Sequence, residues 1–365
     1  MKRIHLMVAT RPNYMKIAPV WSALSASGSY ELELVHTGQH YDHLLSSAFW
    51  DELKLPRPVV NLRAGSGSHA RQTAAVLIGY EAFLQESRPD LVIVPGDVNS
   101  TLACALAASK LHVPVAHLEA GLRSFDDTMP EEINRRLTDS LASIHWTPSP
   151  DATDNLLREG IAQEKITCVG NCMIDSLLSF LPSFEAAKQW EAFGVKRGEY
   201  VVVTLHRPSN TDIPQRLESI VNALVSMGKS VPVIWPCHPR TLAALEKDGH
   251  DSRLRAGGVR LCDPAPYIGF MSLVVGARAV VTDSGGIQEE TTVLGVPCLT
   301  VRPNTERPIT CSEGTNRLVE PQGIEEAFLG LNGAGRGSAR PKLWDGRAAL
   351  RIVEDLAERG WASHA

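Results

Sequence analysis
Short apolar runs rich in branched residues alternate along the chain with longer stretches whose apolar positions recur about every 3.6 residues. The first series of runs is Ile4 to Ala9, Glu31 to His36, Leu91 to Pro95, Val113 to His117 and Ile144 to Thr147. Most are continuously apolar rather than alternating, which predicts strands covered by helices on both faces, the βαβ rhythm of a parallel sheet. The rhythm pauses over residues 180–199, FLPSFEAAKQWEAFGVKRGE, a charged stretch without a strand pattern. A second series follows at Tyr200 to Leu205, Val231 to Trp235, Val259 to Leu261, Ala277 to Thr282 and Val296 to Thr300. The pattern predicts an α/β protein of two doubly wound, Rossmann-like domains: 1–170, a linker at 171–198, and 199–344. The final segment 345–365, helical from about Asp345 to Arg359, is assigned back to the first domain. In such sheets ligands gather at the carboxyl ends of the strands, so two sheets predict a site in the cleft between them.

Composition narrows the function classes. A chain of 365 residues is too long for one ordinary core and suits two. Its net charge of -5 and lack of any long basic run exclude a nucleic-acid surface, so an anionic ligand has to be gripped locally. The N-terminus MKRIHLMVATRP enters a turn too soon for a signal segment and reads as a first strand. No run approaches the roughly 18 apolar residues of a membrane span. The 7 cysteines are scattered, with Cys168 and Cys172 the nearest pair, which fits reduced thiols and a cytoplasmic location.

The positions just after the predicted strands carry the chemistry. Thr10-Arg11-Pro12-Asn13-Tyr14-Met15-Lys16 opens a helix with a cation near each end, and Arg11 and Lys16 suit a phosphate as well as a solvated loop. Gly96-Asp97 follows the third run and His117-Leu118-Glu119 the fourth, placing acids at neighbouring strand ends; a helix cap is the structural alternative for Asp97. Pro130-Glu131-Glu132 starts a helix, where acids also favour the dipole. His206-Arg207 and His238-Pro239-Arg240 occupy equivalent strand ends in the second half, suited to phosphate contact or proton transfer. Metal binding competes for these groups, but neither place shows HxxxH or HxH spacing. Val281-Thr282-Asp283-Ser284-Gly285-Gly286-Ile287-Gln288-Glu289-Glu290 reads as a strand end, a glycine turn and a helix start, a ready anion cradle. No GxGxxG follows a strand, so a nicotinamide fingerprint is missing.

In order, TRPxxxK, PGD, HLEAGLRS, PEEINRR, LHRPSN, TDSGGIQEE and TERP resemble the bacterial non-hydrolysing UDP-N-acetylglucosamine 2-epimerases, from about residue 3 to residue 320. The resemblance implies a glycosyltransferase-B type fold, a UDP-sugar substrate held mainly by the second domain, a homodimer, and no cofactor or metal. It implies Asp97, Glu119 and Glu131 as catalytic acids, with His206 catalytic or in contact with phosphate. By the same implication Arg11, Lys16 and Arg307 contact substrate, Ser284, Gly285 and Gly286 hold the diphosphate, and Glu290 binds the ribose. Arg123 and His238 fall at matching binding positions. The implied reaction inverts C2 by expelling UDP to give 2-acetamidoglucal and re-adding it, so acids are needed around both faces of the ring. Asn13 stands where the family commonly has an acid, as does Ile309 after TERP. Gln39 and His40 match a loop that holds an activating second substrate in allosteric members, whereas Tyr41 and Asp42 depart from it. Related implied activities are C2 epimerisation of UDP-2,3-diacetamido-glucuronate and hydrolysis to free N-acetylmannosamine. A glycosyltransferase or a non-catalytic nucleotide-sugar binder explains the acid trio less well.

Overall fold
The computed structural model describes residues 1–38, 53–331 and 340–362; Gln39, His40, Tyr41 and Asp42 lie outside the described residues. The chain divides into two compact units, 1–176 with 342–365, and 177–341. The division falls inside the helix Cys172–Ala187, which occupies most of the stretch between the two series of strands.

The first unit is built on a seven-stranded sheet of β1 (Lys2–Val8), β2 (Tyr30–His36), β3 (Val60–Asn61), β4 (Leu91–Pro95), β5 (Val115–Leu118), β6 (Ile144–Thr147) and β7 (Ile166–Cys168), in the order β3-β2-β1-β4-β5-β6-β7. Every pairing is parallel. Successive residues of one strand feed opposite cores: Ile4, Leu6 and Val8 pack with Ile17, Val20 and Leu24, while Met7 packs with Val76, Tyr80 and Leu84. This explains the unbroken apolar runs, since neither face meets water. The C-terminal helix Ala348–Glu358 supplies Ile352 and Leu356 to the first of these cores. It is locked there by Asp355, whose carboxylate accepts from Trp146 Nε1 at 2.8 Å and Thr167 Oγ1 at 2.6 Å.

The second unit repeats the plan with β8 (Val201–Thr204), β9 (Val233–Pro236), β10 (Val259–Cys262), β11 (Ala279–Thr282), β12 (Cys298–Val301) and β13 (Asn316–Val319), in the order β10-β9-β8-β11-β12-β13. In both sheets the strand order reverses direction beside the first strand, at β1/β4 and at β8/β11, the switch points where doubly wound sheets bind ligands. The fold class is the one expected. Three strands have no counterpart in the apolar pattern: β3, β7 and β13 lie at sheet edges, and the first two are only two and three residues long. These three edge strands are short or half solvated and lack a buried run to announce them, whereas the edge strand β10 is announced by the pattern at Val259 to Leu261.

Candidate functional site
The first unit concentrates its polar groups at the carboxyl ends of β1, β4 and β5. After β1, Thr10 caps the helix Arg11–Ser27, and its N–H donates to Asn13 Oδ1 at 3.1 Å. The Asn13 amide then donates to the carbonyl of Pro95, the last residue of β4, at 3.2 Å. An acid at this position has no donor for that second bond, so Asn13 ties the β1 and β4 turns together in its own way. One turn later Lys16 is buried, with its ammonium on the Glu119 carboxylate. Arg11 is exposed at the helix start.

Glu119 follows β5 with a φ of 74°, a left-handed conformation that costs a non-glycine residue about 1–2 kcal/mol. Its N–H and that of Ala120 both donate to the Trp146 carbonyl, at 3.0 and 3.1 Å, and these bonds hold the turn. Strain of this kind gathers where a side chain has to be aimed. Gly96 completes the arrangement with a φ of 66°, and a Cβ there would lie 3.0 Å from Lys16 Nζ and 3.3 Å from Glu119 Oε2.

Asp97 is partly exposed, and its Oδ2 accepts from Arg135 Nε at 3.1 Å and from Nη2 of the same fork. The buried Arg135 also donates to Glu132 Oε2 at 2.8 Å. Glu132 in turn accepts from the Ser124 N–H and hydroxyl, each at 2.9 Å, and from the Phe125 N–H at 3.2 Å. Neighbouring Glu131 faces partly outward from the first turn of the helix Pro130–Leu141, so the two adjacent acids have different surroundings. Arg123 is drawn into the fold rather than presented: its guanidinium meets Glu159 at 2.6 Å and Asp139 at 2.7 Å. Burial alone would raise the Asp139 pKa, but His117 and Arg123 beside it hold it below the ordinary carboxylate value. His117 bridges this cluster to the site, with Nδ1 2.6 Å from Asp139 and Nε2 2.8 Å from the Gly96 carbonyl.

The second unit arranges its groups at the ends of β8, β9, β11 and β12. Ser284 is the N-cap of the helix Gly285–Leu294, and its N–H donates to Thr282 Oγ1 at 3.0 Å. The first-turn amides of Gly285 and Gly286 are therefore the ones that geometry leaves to an anion. A Cβ at Gly285 would lie 2.6 Å from Arg307 Nη1 and 2.8 Å from Glu306 Oε1, so those side-chain ends would have to shift to admit it. Arg307 is buried against Glu306 and, at 2.8 Å, Glu289. Glu290 is also buried, accepting from the Tyr267 hydroxyl at 2.9 Å. His238 is exposed and caps its helix Pro239–Lys247, its Nδ1 accepting from the Arg240 N–H at 3.3 Å.

His206 is half exposed, with Nδ1 3.0 Å from Asp283, a wholly buried acid. Burial would raise the Asp283 pKa, yet the His206 contacts, the Arg207 N–H and Asn210 bring it below the ordinary value. Asp283, beside the glycine turn, reads in the sequence as a nucleotide ligand or helix-start acid, whereas in the structure it holds the loop after β8 and the His206 ring; Arg135 and His117 carry no local signal of their roles. Their signal lies in partners far apart in sequence. Among the described residues no group of three or more His, Cys, Asp or Glu side chains is arranged to hold a metal.

A family model described as UDP-N-acetylglucosamine 2-epimerase matches residues 22–357. The chain is 42% identical over 323 residues to the UDP-N-acetylglucosamine 2-epimerase of Methanocaldococcus jannaschii, covering 87% of this chain and 88% of that protein. It is 41% identical over 365 residues to the UDP-2,3-diacetamido-2,3-dideoxy-D-glucuronate 2-epimerase of Pseudomonas aeruginosa, covering 98% and 99%. The crystal structure of the M. jannaschii enzyme in complex with UDP-GlcNAc and UDP is similar in fold, with a TM-score of 0.89 at 38% identity over 98% of this chain and 99% of that one. The Neisseria meningitidis UDP-GlcNAc 2-epimerase bound to UDP-GlcNAc gives 0.88 at 30% identity over 98% and 100%. Matches of this length and identity, on a fold of two doubly wound sheets of the glycosyltransferase-B type, assign the chain to the UDP-N-acetylglucosamine 2-epimerase family.

Proposed function
We propose that this chain interconverts UDP-N-acetylglucosamine and UDP-N-acetylmannosamine by inversion at C2, through elimination and re-addition of UDP by way of 2-acetamidoglucal. Family membership supports the reaction class. The observation that carries the chemistry is the pair of acids, Asp97 and Glu119, at the ends of neighbouring strands β4 and β5, each bonded to a buried cation, Arg135 and Lys16. A proton has to leave C2 from one face and return on the other, which a single fixed base cannot do. Asp97, Glu119 and Glu131 are assigned to those transfers. The helix start at Ser284, Gly285 and Gly286, with Arg11, His238 and Arg307, is assigned to the diphosphate, His206 to the leaving oxygen and Glu290 to the nucleoside side. Departure of UDP places negative charge on the diphosphate, and preorganised amides stabilise it without reorganisation. Elimination and re-addition move a proton and the UDP group and pass no hydride to an acceptor, so this route calls for no redox cofactor.

A second substrate is favoured by a specific observation, the P. aeruginosa diacetamido-glucuronate epimerase, which matches over nearly the full length. Incubation of the protein with each UDP-sugar in heavy water decides between them by NMR. Deuterium at C2 with the 2-epimer formed identifies the substrate; release of UDP with free N-acetylmannosamine refutes the non-hydrolysing reading. A cytoplasmic homodimer belongs to the same proposal. The homodimer is supported by Ile133 and Leu137, exposed one turn apart on the helix Pro130–Leu141. Light scattering that gives a monomer at micromolar concentration refutes the dimer.

A further inference from the structure
Asp283 is a buried acid for which the reaction outlined above gives no role. It accepts from the N–H groups of His206 at 3.1 Å and Arg207 at 2.9 Å and from Asn210 Nδ2 at 3.1 Å, which shapes the loop after β8. A loop scaffold needs no more than those bonds. The carboxylate also lies 3.0 Å from His206 Nδ1, and a carboxylate can only accept there. Nδ1 therefore carries a proton, and Nε2, on the far side of a half-exposed ring, is the nitrogen presented outward. The parallel register pairs Thr204 with Thr282, so His206 and Ser284 each stand two residues beyond paired positions on adjacent strands. The ring thus emerges beside the turn that offers its amides to an anion.

We propose that Asp283 is a positioning residue that fixes His206 with Nδ1–H inward, so that Nε2 exchanges a proton with the phosphate oxygen of the departing UDP. The inference rests on the UDP-elimination reading. In the elimination the C2–H bond breaks, its proton passes to a carboxylate, and its electron pair forms the C1–C2 double bond. The C1–O bond breaks with its pair staying on the β-phosphate oxygen, which takes the Nε2 proton and leaves the ring neutral with Nδ1–H. Re-addition returns that proton to Nε2. The arrangement is the base-and-orienter logic of hydrolase triads, applied to a leaving group.

The test begins with the unmodified protein labelled with 15N-histidine, the His206 signals being identified by their loss in His206→Gln. A protonated Nδ1 is expected; a neutral ring protonated only at Nε2 overturns the proposal. In Asp283→Asn, kcat for C2 deuterium exchange is expected to fall by about 100-fold or more, the lower end of a general acid–base contribution, with the Kd for UDP changed by less than about threefold. An unchanged kcat, or an equal loss of UDP affinity and kcat, overturns the proposal, the second because a scaffold alone would give it. Where Asp283→Asn does not fold, the tautomer of the unmodified protein decides. If the unmodified protein exchanges no deuterium with either UDP-sugar, the elimination reading fails, whereas the tautomer measurement still reports on Asp283 and His206.

Discussion
Lys16→Met separates two roles that the sequence left open for this lysine. The ammonium and the Glu119 carboxylate are both more than nine-tenths buried, with side-chain exposures of 9% and 7%. Methionine keeps most of the volume, so the main loss is the charge partner of a buried carboxylate. Breaking a buried pair from one side costs about 3–5 kcal/mol, and the lower figure sets the minimum expected here. For a unit of about 200 residues each kcal/mol moves the melting temperature by about 2–4 °C, so a fall of about 6–12 °C is expected in the transition of the first unit. Scanning calorimetry of the whole chain measures it. Lys16→Met combined with Glu119→Gln is expected to regain more than half of the loss, because the neutral amide no longer strands a charge. A shift under about 2 °C, or a double variant no more stable than Lys16→Met alone, refutes the pairing as a source of stability and returns Lys16 to the role of a phosphate-facing cation.

Three further outcomes follow from separate contacts. Gly285→Ala forces a Cβ into the space of the Arg307 guanidinium and is expected to weaken UDP binding by about tenfold or more, measured by calorimetric titration. Arg135→Lys keeps the charge and loses the fork that holds Asp97 and Glu132, so C2 exchange should fall by about tenfold or more while UDP affinity stays within about threefold. Burial pushes Asp175 up to about 6, against the lowering effect of the Ala349 and Ala348 amides that it caps. Its folded form therefore holds a proton more tightly than its unfolded form. That contribution to stability is full below the ordinary carboxylate range and is lost as pH rises towards about 6. Asp175→Asn should remove this downward component, at most about 1.4 kcal/mol per pH unit, from urea-unfolding free energies measured across the window.

What was legible in the sequence follows from how each element is buried. β1, β4, β8 and β11 lie inside their sheets with both faces covered, and their apolar runs reveal them. The edge strand β13 mixes exposed and buried positions and gives no such signal. The chemical types at the strand ends were equally visible, because Asp97, Glu119, His206 and the two-glycine turn each follow an apolar run. Their partners were not. Arg135 reaches Asp97 from 38 positions away, and Asp283 meets the ring of His206 from 77, distances over which no local pattern speaks. Arg123 shows the converse: a cation in a distinctive motif whose guanidinium is engaged by Asp139 and Glu159.

The return of the C-terminal helix to the first unit sets an order of assembly. Residues 177–341 are continuous in sequence, so the second unit can form as soon as they are made. The first unit begins earlier in sequence yet is completed later, since Ile352, Leu356 and the Asp355 bond to Trp146 are supplied only after residues 177–341 have been made. Until then the helix Arg11–Ser27 covers that face of the β1 sheet without its partner helix, and domains otherwise tend to fold in the order of synthesis. A nascent chain arrested before the final helix would carry a finished second unit and a first unit open to chaperones, which makes the last helix a late checkpoint on whether the acids at the ends of β4 and β5 are ever set in place.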